Sequence, residues 1–521
     1  MPDGIVLVGM PASGKTTVGR LVAQRLGRRF VDTDELVAHR IGMPVSAYIE
    51  QRGEDVFRAE EARAVAEACA IGGAVIGVGG GAVIDPLSRW ALWHHGTVAW
   101  LDLAPDRLIG RLEADDMARP TFQPYRADQL ATVLADRAPM YRAADVHLNA
   151  SRDPERIADE LVTSLQPVRG RRLLDAEITR HHPIGPAHAR VVMGTRLDLG
   201  AAADGVAVVD RRLLRAAPEL LAVLHVRACL PLLAGERAKR LRGLERVLEW
   251  LAAQRVERDT PLVAVGGGTI GDLAGTAAAL FARGLPLVHV PTTWLAQADS
   301  AIGGKVAVDL RGAKNAVGAF WPPVTVLSDV TALHSLPRRL RRDGMAESVK
   351  ASLIGDPALW RLLEERGAAA LRTDEPARYA IIERSARLKL GVCERDPFES
   401  GERRNLNLGH TIGHALEIES RYRLPHGAAI ALGMRAVAAI ATARGADPEL
   451  AARLDSLLDG LGFTLHRSFD PAGVRAGMLG DKKRRAGRQR WILPMEIGRV
   501  IEVDDVTDAE LESALSVIGS S

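Results

Sequence analysis

The sequence predicts an α/β protein in which two α/β regions are followed by a mainly α-helical region. Two short buried strands, at residues 5–8 and 262–265, each lead into a glycine-rich turn and then into a helix. Such a turn suits a phosphate group, because backbone N–H groups are free at the start of a helix. After a basic, proline-led break at 337–342, the spacing of the apolar residues becomes helical.

The composition is that of an ordinary globular protein, and its 521 residues suffice for about two to four domains. The formal net charge of +3 is too close to balance to favour nucleic acid as a partner. Three widely spaced cysteines favour a reducing compartment without disulfides. The first residues lack a basic signal-peptide start, and no uninterrupted apolar stretch is long enough to cross a bilayer, so we expect a cytoplasmic protein.

The first glycine turn matches the P-loop pattern G-x-x-x-x-G-K-[ST] in full, from Gly9 to Thr16. The pattern assigns Lys15 to the β- and γ-phosphates of ATP and the Thr16 hydroxyl to Mg²⁺. The predicted nucleotide-binding residues are Gly9, Ser13, Gly14, Lys15, Thr16 and Thr17.

Two carboxylates, Asp32 and Asp34, close the next predicted strand. Alternate residues of a strand share a face, so we expect one to orient Mg²⁺ and the other a substrate hydroxyl. The alternative is an N-cap for a helix that begins at Glu35. Further along, the glycines at 79–81 form either a plain turn or a close approach to a ligand. The basic segment 111–126 is typical of a mobile loop that closes over phosphates.

Motifs in residues 1–166 resemble those of shikimate kinase. They are, in order after the P-loop, Asp32-Thr33-Asp34, Phe57-Arg58, Gly79-Gly80-Gly81, Arg119-Pro120 and Arg137-x-x-x-Tyr141. The resemblance implies a three-layer α/β/α domain that phosphorylates shikimate with ATP and Mg²⁺. Where the family usually continues Arg-Pro-Leu-Leu, this chain has Arg119-Pro120-Thr121-Phe122, which alters the packing of the lid.

The resemblance also implies the roles of individual residues in this domain. Asp34 would orient or deprotonate the 3-hydroxyl of shikimate, and Arg119 would be a lid arginine near the transferred phosphoryl group. Arg152 would stack on adenine, and Asp32 would assist Thr16 at Mg²⁺. The implied shikimate-binding residues are Asp34, Arg58, Gly80 and Arg137.

Residues 167–189 contain a basic run, three prolines and little apolar periodicity, so we interpret them as a linker. Within this segment, residues 173–178 are compatible with a short helix or an added strand. The basic run is more typical of a solvated connector than of a nucleic-acid patch.

The second half opens with features that suit a dinucleotide. A predicted strand ends in Asp210, which could meet a ribose hydroxyl or cap a helix. The turn at 266–272 opens an alanine-rich helix and suits a pyrophosphate, although it lacks the usual G-x-G-x-x-G form. Lysines among glycines and hydroxyls, at 303–305 and 314–315, indicate an anionic ligand.

Three histidines and a glutamate form the predicted metal site. His410 and His414 are four residues apart on a predicted helix, so both could bind a divalent metal or lie in a polar seam. Glu347 with Lys350, three apart on another helix, could be no more than a surface ion pair. Glu347, His410 and His426 together would offer two nitrogens and one oxygen, with a fourth position open as in catalytic zinc sites.

Residues from about 190 to 500 closely resemble 3-dehydroquinate synthase. The motifs are Gly266-Gly267-Gly268 with Gly271-Asp272, Pro291-Thr292-Thr293, Ala298-Asp299-Ser300, Gly303-Gly304-Lys305, Lys314-Asn315, Ala346-Glu347 with Lys350, Asn407-Leu408-Gly409-His410 with His414, and Leu424-Pro425-His426-Gly427. The resemblance implies an NAD-binding α/β domain at 190–340, a mainly helical metal- and substrate-binding domain at 341–521, and a homodimer. It implies NAD⁺- and metal-dependent conversion of 3-deoxy-D-arabino-heptulosonate 7-phosphate to 3-dehydroquinate, with Zn²⁺ or Co²⁺ as the metal.

The second resemblance assigns the metal to Glu347, His410 and His426, and leaves His414 for proton transfer. The family's His-Gly-Glu is His426-Gly427-Ala428 here, which predicts weaker support of the histidine ring. The implied catalytic residues are His414, Lys305, Lys350 and Arg403. The implied NAD path is Asp210, Glu236, Lys239, Gly267, Gly268, Asp272, Thr292 and Thr293. The implied substrate residues are Asp299, Lys305, Lys314, Asn315, Lys350, Lys389, Arg403, Asn407 and Lys483.

The two resemblances together predict a bifunctional enzyme that acts on small molecules, without nucleic acid or membrane as a partner. One alternative is that the second half is a related NAD- and metal-dependent polyol dehydrogenase. The lysines and His414 argue against this alternative, since a simple polyol has no phosphate to bind. The other alternative is that one half is an inactive regulatory module.

Overall fold

The structure is a computed structural model that describes residues 4–113, 126–168, 170–182, 185–200, 204–311, 313–479 and 489–519. The predicted site residues Arg119 and Lys483 lie outside these ranges. The chain forms two compact units: Met1–Glu177 with Arg190–Leu197, and Ile178–Ala189 with Asp198–Ser521. Cys69, Cys229 and Cys393 are all free, as their spacing predicts.

The first unit is built on a parallel five-stranded sheet with helices between its strands. The strands are β1 (Gly4–Val8), β2 (Phe30–Asp32), β3 (Val75–Gly77), β4 (Gly96–Asp102) and β5 (Val146–Asn149). The helices are α1 (Lys15–Leu26), α2 (Thr33–Ile41), α3 (Val45–Arg52), α4 (Glu54–Cys69), α5 (Pro86–His95), α6 (Pro105–Glu113), α7 (Ala127–Tyr141) and α8 (Pro154–Ser164). The strand order is β2-β3-β1-β4-β5, and every pairing is parallel.

The central strand β1 is buried along its whole length, which explains its uninterrupted apolar sequence. The P-loop leaves the carboxyl end of β1 and leads directly into α1. Gly14 ends the loop with a φ of 98°, a left-handed conformation that glycine adopts without strain. The predicted strand and helix are both confirmed, and the helix begins at Lys15, within the P-loop motif.

The expectation that Asp32 and Asp34 share a strand face is wrong. Strand β2 ends at Asp32, and Asp34 lies in the first turn of α2. The Asp32 side chain caps α2 by accepting a hydrogen bond from the Asp34 backbone N–H, at 3.0 Å. The N-cap alternative is therefore confirmed for Asp32, with the helix beginning at Thr33 instead of Glu35.

Two paired strands, β6 (Arg171–His182) and β7 (Gly185–Thr195), occupy most of the segment whose composition predicted a linker. The base of this hairpin is part of the first unit. There Arg190 forms two hydrogen bonds with Asp175, at 2.7 and 2.6 Å, and Arg171 pairs with Asp145 at 3.1 Å. Of the two structures compatible with residues 173–178, the strand is the one present.

The second unit begins with an α/β region. Its remaining strands are β8 (Gly205–Asp210), β9 (Val226–Leu232), β10 (Leu262–Gly266), β11 (Leu287–Pro291), β12 (Lys305–Leu310), β13 (Ala313–Phe320) and β14 (Thr325–Asp329). Its helices are α9 (Leu213–Ala216), α10 (Pro218–Ala222), α11 (Leu241–Ala253) and α12 (Gly268–Leu280). Five strands are parallel in the order β14-β11-β10-β8-β9, and β12 and β13 form an antiparallel hairpin.

The direction in which the chain adds strands reverses between β8 and β10. In open parallel sheets, ligands bind beyond the carboxyl ends of the strands at this reversal. The carboxyl ends here are Asp210 and the glycine turn after β10. The topology therefore places the predicted dinucleotide turn where a parallel sheet binds its ligand.

The rest of the second unit is mainly helical. Its helices are α13 (Arg338–Gly355), α14 (Pro357–Ala370), α15 (Glu375–Arg395), α16 (His410–Glu419), α17 (His426–Ala443), α18 (Leu450–Gly460), α19 (Pro471–Leu479) and α20 (Asp508–Ile518). A small antiparallel pair, β15 (Trp491–Glu496) and β16 (Arg499–Val503), completes it.

Helix α17 is long and apolar enough, by length and composition alone, to cross a membrane. Arg435 interrupts its apolar sequence, so the helix is not the uninterrupted apolar stretch whose absence the sequence predicts. It is nevertheless 72% buried within the fold, and the buried core helix of a globular protein satisfies the same criterion. Helices α16 and α17 approach closely at Gly433, where a Cβ atom would lie 2.9 Å from the Gly409 carbonyl carbon.

Candidate active sites

The P-loop of the first unit is arranged for a phosphate chain and a divalent cation. The Lys15 ammonium group donates to the carbonyl oxygens of Gly9 and Met10, at 3.0 and 2.8 Å. The Thr16 hydroxyl donates to Asp32 at 2.8 Å, so the two residues predicted for Mg²⁺ are in contact. The Ser13 hydroxyl is buried and has no hydrogen-bond partner within the described ranges. A buried hydroxyl without a partner fits a phosphate oxygen as its acceptor.

Arg111, the first residue of the basic segment 111–126, lies in α6, so the predicted loop is wrong for residues 111–113, and residues 114–125 lie outside the described ranges. Its guanidinium donates to the carbonyl oxygens of Ala12 and Ala150, at 3.3 and 2.9 Å. Arg152, the residue predicted to stack on adenine, pairs with Glu160 at 2.8 Å on the surface. Sequence could not distinguish these arginines, because Arg111 reaches the loop from α6 and belongs to no contiguous motif.

The predicted shikimate residues converge on the glycine loop that follows β3. A Cβ atom on Gly79 would lie 2.5 Å from an Asp34 carboxylate oxygen, so a side chain there would displace Asp34. The Arg58 guanidinium packs against Gly81 in the same way. The Tyr141 hydroxyl donates to the Gly80 carbonyl at 2.7 Å. The loop is therefore a close-approach site with charged side chains around it.

Glu61 is the residue of this pocket that sequence reasoning missed. Arg58 donates to Glu61 at 2.7 Å and to Glu54 at 2.9 Å. Burial raises the pKa of Glu61, although Arg58 opposes the shift. Arg137 is also buried and lies close enough to influence the pKa values of both Glu61 and Tyr141. Glu61 was detectable as the i+3 partner of Arg58 on one helix face.

Neighbouring side chains pack closely against the glycine turn of the second unit. A Cβ atom on Gly267 would lie 2.9 Å from the Thr293 side chain, and one on Gly268 would lie 3.0 Å from the Ser300 hydroxyl. The turn fits a pyrophosphate at the N-terminus of α12. Asp210, at the end of β8, accepts a hydrogen bond from the Arg212 backbone at 3.1 Å.

Lys239 lies at the centre of a buried polar group below this turn. Its ammonium contacts Asp272 and the Asn315 side-chain oxygen, both at 2.5 Å. Burial raises the pKa of Asp272, and Lys239 opposes the shift. Glu236 faces Lys314 at 3.9 Å. The structure thus links residues predicted for NAD with Lys314 and Asn315, which were predicted for substrate.

A second polar group joins three of the predicted substrate residues. Asp299 accepts from Lys389 at 2.8 Å and faces Lys350 at 3.9 Å. Lys350 also contacts Glu347, so its alternative as a surface pair is wrong because both side chains are buried. Burial alone would raise the pKa of Asp299, but the two lysines outweigh burial and lower it.

Glu399 is another residue that the motif search missed. It contacts the Lys305 ammonium and accepts from the Asn407 amide at 3.0 Å, so it joins two predicted substrate residues. Arg403 is buried and donates to the carbonyl oxygens of Gly303 and Pro397, at 2.7 and 2.5 Å. No short motif contains Glu399, which explains why sequence alone did not reveal it.

The segment after α15 that carries Glu399 and Arg403 is held by Asp396. Its carboxylate accepts from the backbone N–H groups of Ser400, Gly401 and Arg403, at 2.8, 2.7 and 3.0 Å. Burial by itself would raise the pKa of Asp396, but these hydrogen bonds lower it to about 2.

The predicted metal ligands meet at the starts of two helices. The ligand atoms of Glu347, His410 and His426 all lie within 4.8 Å of one another. The Nε2 atoms of His410 and His426 face the same Glu347 oxygen, at 3.5 and 3.1 Å. Burial would raise the pKa of Glu347, but Lys350 and His426 lower it. For His426, burial lowers the pKa, but the neighbouring carboxylates raise it to about 10.

A second group with metal-ligand geometry shares one of these histidines. It consists of His414, Glu417 and His426. Glu417 faces His426 Nδ1 at 3.5 Å and His414 Nε2 at 3.9 Å, and Lys314 at 3.0 Å. Glu417 was not identified from sequence, although it lies three residues after His414 on the same helix face.

The donor chemistry of the first group fits a divalent cation. His410 Nδ1 lies 3.0 Å from the Leu408 carbonyl oxygen, which can only accept, so the proton is on Nδ1. The free lone pair of His410 is then on Nε2, the nitrogen that faces Glu347. Two imidazole nitrogens and a carboxylate oxygen are the ligand types of open zinc sites.

Comparison with known protein families assigns both halves of the chain. The shikimate kinase family model matches residues 11–166. The models of the N-terminal and C-terminal regions of 3-dehydroquinate synthase match residues 229–343 and 344–484.

Individual relatives agree with these matches. The 3-dehydroquinate synthase of Symbiobacterium thermophilum is 40% identical over 308 residues, which cover 58% of this chain and 86% of the relative. That of Xylella fastidiosa is 41% identical over 319 residues, which cover 60% of this chain and 85% of the relative.

Two solved synthases share the fold of the second unit. One is 2-epi-5-epi-valiolone synthase from Streptomyces hygroscopicus with NAD⁺ and Zn²⁺ bound, with a TM-score of 0.61 and 29% identity over 65% of this chain and 99% of that one. The other is 2-deoxy-scyllo-inosose synthase with carbaglucose-6-phosphate, NAD⁺ and Co²⁺, with a TM-score of 0.55 and 25% identity over 66% and 99%. The chain belongs to the 3-dehydroquinate synthase family and carries a shikimate kinase domain ahead of the synthase.

Proposed function

We propose that the chain catalyses two steps of one biosynthetic route. The first unit phosphorylates shikimate to shikimate 3-phosphate with ATP and Mg²⁺. The second unit converts 3-deoxy-D-arabino-heptulosonate 7-phosphate to 3-dehydroquinate and releases phosphate. The observation that carries the synthase assignment is the Glu347, His410 and His426 group, which shares Lys350 with the Asp299 and Lys389 cluster.

In the kinase, the protein's main task is to position two substrates and stabilise negative charge. The P-loop N–H groups and Lys15 bind the phosphates, and Thr16 and Asp32 would hold Mg²⁺. Arg58 and Arg137 bind the shikimate carboxylate. Asp34 takes the proton of the attacking hydroxyl as the γ-phosphoryl group moves to that oxygen and ADP leaves.

In the synthase, bound NAD⁺ supplies a reversible hydride acceptor and a divalent ion supplies a Lewis acid for a hydroxyl or carbonyl oxygen. Glu347, His410 and His426 would hold the ion. The lysine and arginine side chains bind the carboxylate and phosphate of the substrate, and His414 moves the proton over it. The lysines and arginine are Lys305, Lys350, Lys389, Arg403 and, from the resemblance, Lys483. The other substrate residues of the proposal are Asp299, Lys314, Asn315 and Asn407.

The cofactor path, domain boundaries and assembly are part of the proposal. NAD⁺ would lie along Asp210, Glu236, Lys239, the 267–268 turn and Asp272, with Thr292 and Thr293 beyond it. The boundaries would be at 166, 189 and 340. A cytoplasmic homodimer that binds neither nucleic acid nor membrane is supported by the balanced charge and by the resemblance to the synthase family.

A matched pair of variants tests whether the two activities are real and separate. Lys15→Met should abolish ADP formation with shikimate and leave phosphate release from the keto-sugar phosphate unchanged, because Lys15 donates to the P-loop carbonyl oxygens of Gly9 and Met10 in the first unit. Lys350→Met should do the reverse. Loss of both activities in either variant would contradict independent sites. Net NADH accumulation without phosphate release would favour the polyol dehydrogenase instead.

A further inference from the structure

Glu417 is a buried carboxylate of the synthase site that has no role in the mechanism proposed above. Its residue is only 3% exposed. One oxygen accepts from Lys314 on the β12–β13 hairpin, at 3.0 Å. The other oxygen faces the Nδ1 atom of His426 at 3.5 Å. Because burial of an unpaired charge is costly, the buried Glu417 carboxylate depends on these two contacts.

The two metal-facing histidines are held in the same way by different acceptors. His410 Nδ1 faces the Leu408 carbonyl oxygen, and His426 Nδ1 faces Glu417. Both Nε2 atoms then point to Glu347. An acceptor at Nδ1 fixes the ring and leaves the Nε2 lone pair for a cation. Each histidine ring therefore has an acceptor at Nδ1. The acceptor is a backbone carbonyl oxygen for His410 and a side-chain carboxylate for His426.

Ala428 makes the side-chain acceptor important in this chain. Position 428 lies two residues after His426 and offers no carboxylate. Among the described residues, Glu347 and Glu417 are the carboxylates that contact the His426 ring. The Ala428 side chain cannot accept a hydrogen bond from the His426 ring. Glu417, on the neighbouring helix α16, supplies an acceptor for that ring.

We propose that Glu417 is the positioning residue of the metal site, which fixes the ring of His426 and is itself anchored by Lys314. The proposal rests on the proposed function, since it assumes that His426 is a ligand. Lys314 also lies 4.8 Å from the Tyr422 ring and 3.9 Å from Glu236. Glu417 thus connects the metal site to the residues proposed for NAD.

Metal binding by the full chain tests this role without relying on turnover. Glu417→Gln keeps an acceptor oxygen and loses the charge, whereas Glu417→Ala removes both. We expect the affinity for Zn²⁺ or Co²⁺, measured by titration calorimetry, to fall about 10-fold in the Gln variant and about 100-fold in the Ala variant. Glu419→Gln is the matched control, because Glu419 lies on the same helix and accepts from the Asp470 backbone instead.

The visible spectrum of the Co²⁺-loaded protein separates positioning from ligation. If Glu417 positions His426, the Glu417 variants keep the same ligand number and show a shifted, weaker spectrum. Loss of a ligand in the Gln variant would overturn the proposal, because it would show that Glu417 binds the metal directly, together with His414. Unchanged affinity in both variants would also overturn it. Failure of the unsubstituted protein to bind metal would instead refute the proposed function. Thermal unfolding of the full chain, followed by circular dichroism, reports whether each variant folds.

Discussion

The close contact between α16 and α17 gives a prediction whose size can be worked from the structure. Gly433 lies seven residues after His426, about two turns along the same face of α17. A Cβ atom there would be 2.9 Å from the Gly409 carbonyl carbon and 3.0 Å from the Gly413 nitrogen. Carbon atoms pack at about 3.5–4.0 Å, and the Gly409 carbonyl oxygen lies nearer still to the added Cβ atom, so Gly433→Ala must separate the helices by about 1 Å or more.

This separation acts on the metal site because each helix begins with one of the histidines. Metal–ligand distances tolerate about 0.2 Å of error, so a shift of that size would weaken the bond to His410 or His426. We expect at least a 10-fold loss of metal affinity, or about 1.4 kcal/mol. Overpacking should destabilise the fold by about 1–3 kcal/mol, offset by about 1 kcal/mol from alanine's greater helix propensity.

Titration calorimetry with Zn²⁺ and thermal unfolding of the full chain measure these two effects. Gly460→Ala is the matched control, because a Cβ atom at Gly460 on α18 would meet nothing within 4 Å. The control should keep its metal affinity and be as stable as the parent or slightly more stable. If Gly433→Ala behaved like Gly460→Ala, the close helix contact would not be what positions the histidines.

Three further predictions concern single contacts. Ser348→Ala should destabilise the protein by about 1–3 kcal/mol in urea, because the buried Trp294 indole N–H loses its acceptor at 3.1 Å; no change would refute this. Tyr141→Phe should raise the KM for shikimate and spare the synthase, because the Gly80 carbonyl loses its donor; an unchanged KM would count against it. The pKa of Asp396 is lowered to about 2, below its unfolded value of about 3.9, so its contribution to stability is present above pH 4 and is lost toward pH 2. Asp396→Asn should therefore flatten the fall in stability between those pH values, followed by circular dichroism, and an unchanged profile would contradict the assignment.

Residues in contiguous motifs were predictable, and isolated residues were not. The P-loop and the 266–268 turn combine a strand, a turn and a helix within a few residues, so their local geometry follows from local sequence. Glu61, Glu399 and Glu417 act through partners on other elements or through buried contacts. Spacing placed Glu61 and Glu417 beside a predicted site residue on one helix face, but it could not show that either carboxylate is buried, and it gave no signal for Glu399.

The prediction for Asp32 and Asp34 was wrong because two local structures share the same residue pattern. The alternation at Asp32 and Asp34 predicted a shared strand face, but an Asp at a strand end can cap the following helix as easily. The hydrogen bond from the Asp34 backbone N–H decided for the cap. A strand with alternating faces and a helix N-cap both place an Asp at these positions, so the sequence alone cannot distinguish the two structures.

The sequence by itself determined the fold class, the P-loop and the identity of the residues that could bind a metal. These depend on periodicity and on short motifs, whose physical causes are local. Only the tertiary structure showed which acceptors face the ring nitrogens of His410 and His426. Glu347 and His426 are 79 residues apart, and the nitrogen that each ring presents depends on acceptors brought by the close packing of α16 and α17.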